Sequence, residues 1–232
     1  MAKLRNVAIV ARNPAMVIEL KKQLSDFDYD EARPDFVVSY GGDGTYLMAE
    51  RLYPGIPKLL VRDSKICVKC SEGDIYHLIS KILQDKYAIE ENIKLESVIN
   101  KRKWFCTNDF VVRNKFPTHA LRFYVRVDGK EENGLIIGDG IVVATPFGST
   151  AYYHSISRKS FDKGIGIAFN NSTKPLGHLV LKEDSNIEFE LVRGNAVFAS
   201  DNDPEVIDLI EGQVIRIKKA KETTKVINIK GH

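Results

Sequence analysis

Two glycine-containing stretches hold most of the chemistry that residue type and spacing can encode. The first, Gly41-Gly42-Asp43-Gly44-Thr45, follows the apolar run Phe36-Val37-Val38 and precedes a segment carrying Tyr46, Leu47 and Leu52 that closes at Pro54-Gly55. Glycines permit a tight turn that brings backbone N–H groups close to phosphate oxygens, and a following helix adds the positive end of its dipole. The stretch reads as a phosphate cradle. It is neither G-x-G-x-x-G nor a P-loop, because Asp43 stands inside the turn and no Gly-Lys-Ser/Thr follows. A carboxylate beside phosphates is repelled unless it takes up a proton or holds Mg²⁺. The plainer alternative is a Gly-Asp-Gly turn in which the aspartate bonds its own backbone, and spacing alone weighs the two equally.

The second stretch is Asp139-Gly140-Ile141-Val142-Val143-Ala144-Thr145-Pro146-Phe147-Gly148-Ser149-Thr150-Ala151-Tyr152. An apolar strand here runs into a loop rich in hydroxyls and N–H groups that opens onto a helix, a second place for phosphate, ribose or base edges. Between the two stretches lies Thr107-Asn108-Asp109-Phe110-Val111-Val112. Asn and Asp are disfavoured inside strands, so this pair marks either a strand-end turn or a ligand contact. Cys67 and Cys70 form a C-x-x-C, but neither Cys106 nor His77 completes a zinc spacing, and three cysteines exclude a full disulfide framework. Reduced structural thiols are expected.

The elements that must position these residues change character along the chain. Asn6-Val7-Ala8-Ile9-Val10, Phe36-Val37-Val38 and Leu59-Leu60-Val61 are short apolar runs separated by helical stretches, the first of them with Met16, Ile18, Leu20 and Leu24. That alternation predicts a parallel sheet covered on both faces, an α/β domain reaching to about residue 90. Beyond it the period becomes two: Leu121, Phe123, Val125 and Val127 share a face, as do Ile187, Phe189 and Leu191, and Ile215 and Ile217. Asp128-Gly129 and Arg193-Gly194-Asn195 read as turns. A mostly antiparallel β domain is expected from about residue 95, with one short helix at 150–157 and a domain boundary near 86–94.

The chain has 232 residues, 44% hydrophobic and 28% charged, which excludes disordered, collagen-like and low-complexity classes. Thirty-four Lys plus Arg against thirty-one Asp plus Glu leave +3, a balance that demands no nucleic-acid partner and suits a polyanionic small ligand in one basic pocket. No apolar run approaches the ~20 residues of a membrane span, and the opening residues lack a signal-peptide core, so a cytoplasmic protein without membrane contact is expected. The basic runs Asn100-Lys101-Arg102-Lys103 and Lys218-Lys219-Ala220-Lys221 read as solvated surface, and Trp104 and Phe105 as strand packing. His119, His154 and His178 show no triad order or metal spacing.

In order and wording the three motifs resemble the NAD kinase family, whose pattern is Gly-Gly-Asp-Gly-Thr, then Asn-Glu or Asn-Asp before a short apolar strand, then Asp-Gly-x-x-x-x-Thr-Pro-x-Gly-Ser-Thr-Ala-Tyr. The close match covers residues 36 to 155 and a looser one continues to about Asp203. Gly-Gly-Asp-Gly alone also occurs in lipid kinases and phosphofructokinases; the combination is what carries the resemblance. It implies an N-terminal α/β domain with a parallel, Rossmann-like sheet (residues 1–92) and a mostly antiparallel all-β C-terminal domain (93–232), whose last residues are able to pack back on the first. It further implies NAD in the cleft between the domains, a homodimer or homotetramer, and phosphoryl transfer from ATP, or polyphosphate in some members, to the 2′-hydroxyl of the adenosine ribose. By motif position Asp43 would activate that hydroxyl. Gly41, Gly42, Gly44 and Thr45 would hold phosphates, Gly44 also touching the substrate. Asn108 and Asp109 would contact the adenosine, Asp139 the nicotinamide side, and Thr150, Ala151, Tyr152 and Ser155 would line the base and ribose pocket. Mg²⁺ is the expected divalent ion, bound with the ATP phosphates.

This sequence departs from the family pattern at several positions. Met48 stands where many relatives carry a basic residue, Arg62-Asp63-Ser64 where Asn-x-Gly is common, and Phe147 in place of Thr. Ile137 replaces an Arg or Lys, Arg158-Lys159-Ser160 a Gly-Gly-Pro stretch, and Asp201-Asn202-Asp203 stands near a family Asp-Gly-Gln. The departures fall on the phosphate side and leave the candidate base and nucleoside motifs intact. Two competing readings follow: a Gly-Gly-Asp-Gly kinase acting on a lipid or sugar hydroxyl, against which the nucleoside motifs argue, and a non-catalytic NAD(P) sensor, against which Asp43 argues.

Overall fold

The computed structural model describes residues 4–62 and 74–229; Cys67, Cys70, Asp63 and Ser64 lie outside them. In chain order the elements are β1 (Asn6–Ala11), α1 (Ala15–Gln23), β2 (Asp28–Tyr29), β3 (Phe36–Gly41), α2 (Asp43–Leu52), β4 (Lys58–Arg62), α3 (Ile75–Leu83) and β5 (Tyr87–Ile99). There follow β6 (Arg102–Cys106), β7 (Asp109–Asn114), β8 (Leu121–Val127), β9 (Lys130–Gly138), β10 (Gly140–Ala144), a 3₁₀ turn (Phe147–Thr150) and α4 (Tyr152–Ser157). The chain ends with β11 (Ile165–Asn170), β12 (His178–Leu181), β13 (Ile187–Arg193), β14 (Ala196–Ser200), β15 (Ile207–Leu209) and β16 (Val214–Ile229). Two compact units result, one running to Asn92 and taking back the residues from Thr223 onward, the other Ile93–Glu222. The division falls inside β5 and inside β16.

In the first unit β2, β1, β3, β4 and the last part of β16 lie parallel in that order. Both faces of this sheet are buried, which is why its strands are apolar without alternation. Val7, Ile9, Phe36, Val38, Leu59 and Val61 face one way, against Leu20 of α1, Leu24 at its end, and Leu78, Ile79 and Ile82 of α3. Ala8, Val10 and Val37 face the other, against Ala49 of α2, where small side chains let the helix approach closely. Ile18 and Leu52, both part of the apolar pattern in the sequence, are instead exposed. Helix α3 starts at Asp74, whose Oδ1 accepts from His77 N at 2.8 Å, an N-cap bond that satisfies one of the first-turn donors.

A buried polar network anchors α2, the helix that begins at Asp43. Lys58 Nζ on β4 donates to Glu50 on α2 and, at 2.6 Å, to Tyr53 O. Glu50 also accepts from Thr224 Oγ1 of β16 at 2.9 Å and from Gly55 N at 3.2 Å, and Tyr46 OH lies 2.6 Å from the Thr224 hydroxyl. Lys58 is 0% and Glu50 3% exposed, so the two charges are held away from water and depend on one another.

The second unit is built on antiparallel ladders. One sheet runs β12-β11-β10-β7-β14-β15. The other pairs the early part of β16 with β13, β13 with β8 and β8 with β9, while β5 pairs with β6. Period two decides which side chains enter the core: Phe110 and Val112, Ile141 and Val143, and Leu121, Phe123 and Val125 turn inward with Ile187, Phe189, Leu191, Ile215 and Ile217. Trp104 joins that core edge-on to Phe198, as its reading as strand packing expects. Val111, Val142 and Ala144 turn to the opposite face, where Tyr153 of α4 covers them. Asp128 and Gly129, at φ 50° and 80°, make the tight hairpin between β8 and β9. The turn at Arg193-Gly194-Asn195 joins strands of two different sheets instead. The single helix read at 150–157 is split, because Ala151 leaves helical geometry (φ −94°, ψ −126°) between the 3₁₀ turn and α4.

Candidate active site

The glycine-aspartate loop lies in the first unit. Gly41 closes β3, Gly42 is the extended N-cap of α2 and Asp43 is its first residue. A carboxylate at this position is favoured by the helix dipole. Thr45 N and Tyr46 N both bond Gly42 O, at 2.9 and 3.2 Å, which starts the helix at the turn itself. Asp43 and Gly42 are half-buried, Gly44 is exposed and Thr45 is buried. Met48 points back against Ala8, Val10 and Val37, so the place where relatives carry a basic side chain is here part of the helix-to-sheet packing.

The nucleoside motifs lie in the second unit and are stitched to one another. β6 ends at Cys106 and β7 begins at Asp109, so Asn108 stands at a bend between strands. β10 runs antiparallel to β7 with Ala144 opposite Asp109, which brings Thr145 beside Asn108. Thr145 N donates to Asn108 O at 2.9 Å and Thr145 Oγ1 donates to Thr107 O at 2.5 Å while accepting from Gly148 N at 3.0 Å. A Cβ on Gly148 would fall 2.1 Å from Asn108 O, so only glycine lets the hydroxyl loop close on this backbone. At the far end of β10, Gly140 has φ +132° and a Cβ there would meet Val112 O at 1.9 Å.

Thr107, Asn108 and Asp109 are 0%, 6% and 5% exposed. Asn108 Oδ1 and Thr107 Oγ1 are buried and find no hydrogen-bond partner among the described residues. Buried polar atoms are nearly always satisfied, so these two oxygens, on adjacent residues, are exceptions among the described residues. Thr150, Ala151, Tyr152 and Ser155 are exposed or half-buried around the start of α4, with Ser155 Oγ donating to Tyr152 O at 2.7 Å. Asp139 is not brought to this group. It stands six residues before Thr145 along an extended strand, about 20 Å away. There its carboxylate accepts from Asn114 Nδ2 at 3.3 Å and Asn171 Nδ2 at 3.1 Å.

Asp201, which the sequence placed near a family Asp-Gly-Gln without giving it a role, also belongs here. Asp201 accepts from the N–H groups of Thr107 (2.8 Å), Asn108 (2.8 Å) and Asp109 (3.1 Å). Burial pushes its carboxyl up to about 6, while the three N–H groups and Lys94 pull it down. Burial also pushes the neighbouring Cys106 thiol well above its ordinary range, reinforced by the charges of Asp201 and Asp109, which makes it an inert packing residue.

Residues 107–229 match the family model of the ATP-NAD kinase C-terminal domain. The chain belongs to the NAD kinase family. Its relatives include an NAD kinase of Sulfurisphaera tokodaii, 31% identical over 178 residues that cover 72% of this chain and 70% of that one. They also include a bifunctional NADP phosphatase/NAD kinase of Methanocaldococcus jannaschii, 34% identical over 143 residues, 57% of this chain and 25% of that longer protein. The fold is that of an NAD kinase from Archaeoglobus fulgidus crystallised with ATP: TM-score 0.81 at 20% identity, covering 97% of this chain and 93% of that one. The α/β unit with its parallel sheet and the antiparallel β unit expected from the sequence are therefore those of the NAD kinase family.

Proposed function

We propose that this chain is an enzyme that phosphorylates NAD to NADP, with ATP as donor and Asp43 as the base. The observation that carries the proposal is that the family match covers the residues knitted together in the second unit, Thr107 to Asp109, Thr145 to Gly148 and Asp201, where two buried oxygens await a ligand. The adenosine 2′-oxygen attacks the γ-phosphorus, its proton passes to Asp43, and the bond from phosphorus to the β,γ-bridging oxygen breaks to release ADP. Gly41, Gly42, Gly44 and Thr45 hold phosphate groups at the positive end of α2. Asn108 and Asp109 hold the adenosine, Thr150, Ala151, Tyr152 and Ser155 line the base and ribose, and Asp139 serves the nicotinamide side. Phosphoryl transfer asks chiefly for positioning and charge neutralisation, which these backbone groups and one base supply.

Among the described residues no group of three His, Cys, Asp or Glu side chains is gathered to hold a metal. The divalent ion, Mg²⁺ in this reading, arrives as part of the ATP substrate. No helix among the described residues is long and apolar enough to cross a membrane; both substrates are cytoplasmic metabolites, and we place the enzyme with them. Purified protein incubated with NAD, ATP and Mg²⁺ tests the reading directly: NADP is the expected product, and its absence rejects it. A lipid or sugar kinase would instead consume ATP only with its own acceptor.

Asn108→Ala is expected to weaken NAD binding by about 1–3 kcal/mol, the cost of leaving a buried partner unpaired. Calorimetry giving unchanged affinity removes Asn108 from the site. A homodimer or homotetramer is proposed as the working form, supported by Val98, Val180, Val206 and Ile210, large apolar side chains left exposed on the second unit. Light scattering should return a multiple of 26.2 kDa; the monomer mass at micromolar concentration counts against it.

A further inference from the structure

We infer that Asp201 is a positioning residue for the adenosine site: it gathers three consecutive backbone N–H groups and thereby sets how the Asn108 side chain is presented. The inference rests on the NAD-binding reading above. In an extended strand, successive N–H groups point to opposite sides and are met by strands on either side. The bend between β6 and β7 breaks that alternation, so that the N–H groups of Thr107, Asn108 and Asp109 converge. A single acceptor with two oxygens can meet all three; a neighbouring strand cannot. Asp201 does so at 2.8, 2.8 and 3.1 Å. Its own N–H donates to Asp109 O at 2.9 Å, and Ser200 Oγ to Phe105 O at 2.6 Å, which ties the end of β14 to the same bend.

The carbonyls of the bend are held from the other side. Thr145 takes Thr107 O through its hydroxyl and Asn108 O through its N–H. With the backbone of 107–109 held on both sides, Thr107 Oγ1 and Asn108 Oδ1 are buried there without a partner among the described residues. Charge-assisted bonds are stronger than neutral ones, so a carboxylate holds this geometry where an amide would not. The position also differs from a generic turn residue, because nothing within ninety residues of it in sequence takes part in these three bonds.

Charge state supplies a handle on the role. The groups acting on Asp201 are Lys94 on β5 and the N–H groups of Thr107, Asn108 and Asp109, and Asp201 in turn acts, with Asp109, on the Cys106 thiol at the end of β6. As pH falls through about 6 the carboxyl takes up a proton and loses part of its capacity to accept. Its folded-state value lies above the ordinary 3.8, so the folded chain binds more protons between about pH 4 and 6, and protonation at this group favours folding there. Loss of NAD affinity in that window therefore cannot come from unfolding through Asp201.

The test uses the full chain. D201N is expected to raise the dissociation constant for NAD at least about tenfold and to speed amide exchange of Thr107, Asn108 and Asp109 by a similar factor, with ATP affinity unchanged. The wild type should lose NAD affinity between pH 7 and 5, and D201N should lack the part of that dependence due to Asp201. D201N with wild-type affinity and wild-type exchange overturns the inference. Should D201N fail to fold, the wild type decides: NAD affinity and protection of the three amides, taken relative to their intrinsic exchange rate at each pH, that stay flat from pH 7 to 5 overturn it. Wild-type protein that binds no NAD defeats the functional reading instead, and the exchange measurement, which needs no NAD, still decides the role of Asp201.

Discussion

Asp43→Asn is expected to bind NAD about as well as the wild type while forming NADP at least about a hundredfold more slowly, the lower end of what a positioned general base contributes. A ribose hydroxyl is a poor nucleophile at neutral pH, and the amide keeps the size of the side chain while removing its capacity to take the proton. Asp43 begins α2, and the bonds that start the helix run from Thr45 N and Tyr46 N to Gly42 O, so none of them uses the Asp43 side chain. Asn is also a good residue in a glycine turn. If Asp43 were only a turn former, the variant would therefore make NADP at the wild-type rate, and that outcome would eliminate the mechanism while leaving the family assignment standing.

The largest effect on stability is expected at the buried pair beneath the same helix. Glu50→Ala removes the carboxylate facing Lys58, whose ammonium is wholly out of water, and leaves the Thr224 hydroxyl without an acceptor it now uses. Breaking one side of such a pair costs about 3–5 kcal/mol. At roughly 2–4 °C per kcal/mol for a chain of this size, the melting temperature should fall by about 6–20 °C. Salt should change this little, because a buried pair is weakly screened. The double variant Glu50→Leu with Lys58→Met should recover most of the loss, since it is the unpaired charge and not the missing attraction that is costly. Glu50→Ala melting within a degree of the wild type would show that the pair adds nothing. Because Glu50 and Asp43 share α2, the single variant should also lower NADP formation, through the helix and not through the chemistry.

Much of the architecture is written in local patterns. Apolar runs without alternation, at 6–10, 36–38 and 59–61, short and bounded by turn residues, fit strands buried on both faces, and they form the parallel sheet. Period-two runs such as Leu121 to Val127 can only be half-buried, and they form the antiparallel ladders. The glycine-aspartate loop is legible for the same reason: strand, turn and helix start are all decided within ten residues. Ile18 and Leu52 lie on the helices read there but are exposed, since periodicity reports a helix but not where the edge of its buried face falls.

What the sequence by itself determined, then, is the alternation of apolar runs and helices in the first unit, the period-two strands of the second, where a phosphate loop begins a helix, and which three motifs occur in family order. Only the tertiary structure decided which of those residues meet. Asp201 reaches Thr107 across 94 positions and Glu50 reaches Thr224 across 174, separations at which no local pattern survives. Asp139 and Thr145 share one motif, yet the extended β10 between them sets them beyond its opposite ends. The physical reason is common to the two long-range cases. Propensity and periodicity act over a few residues, whereas a buried carboxylate or ammonium is tolerated only where distant backbone and side-chain groups close around it, and that closure exists only in the folded chain.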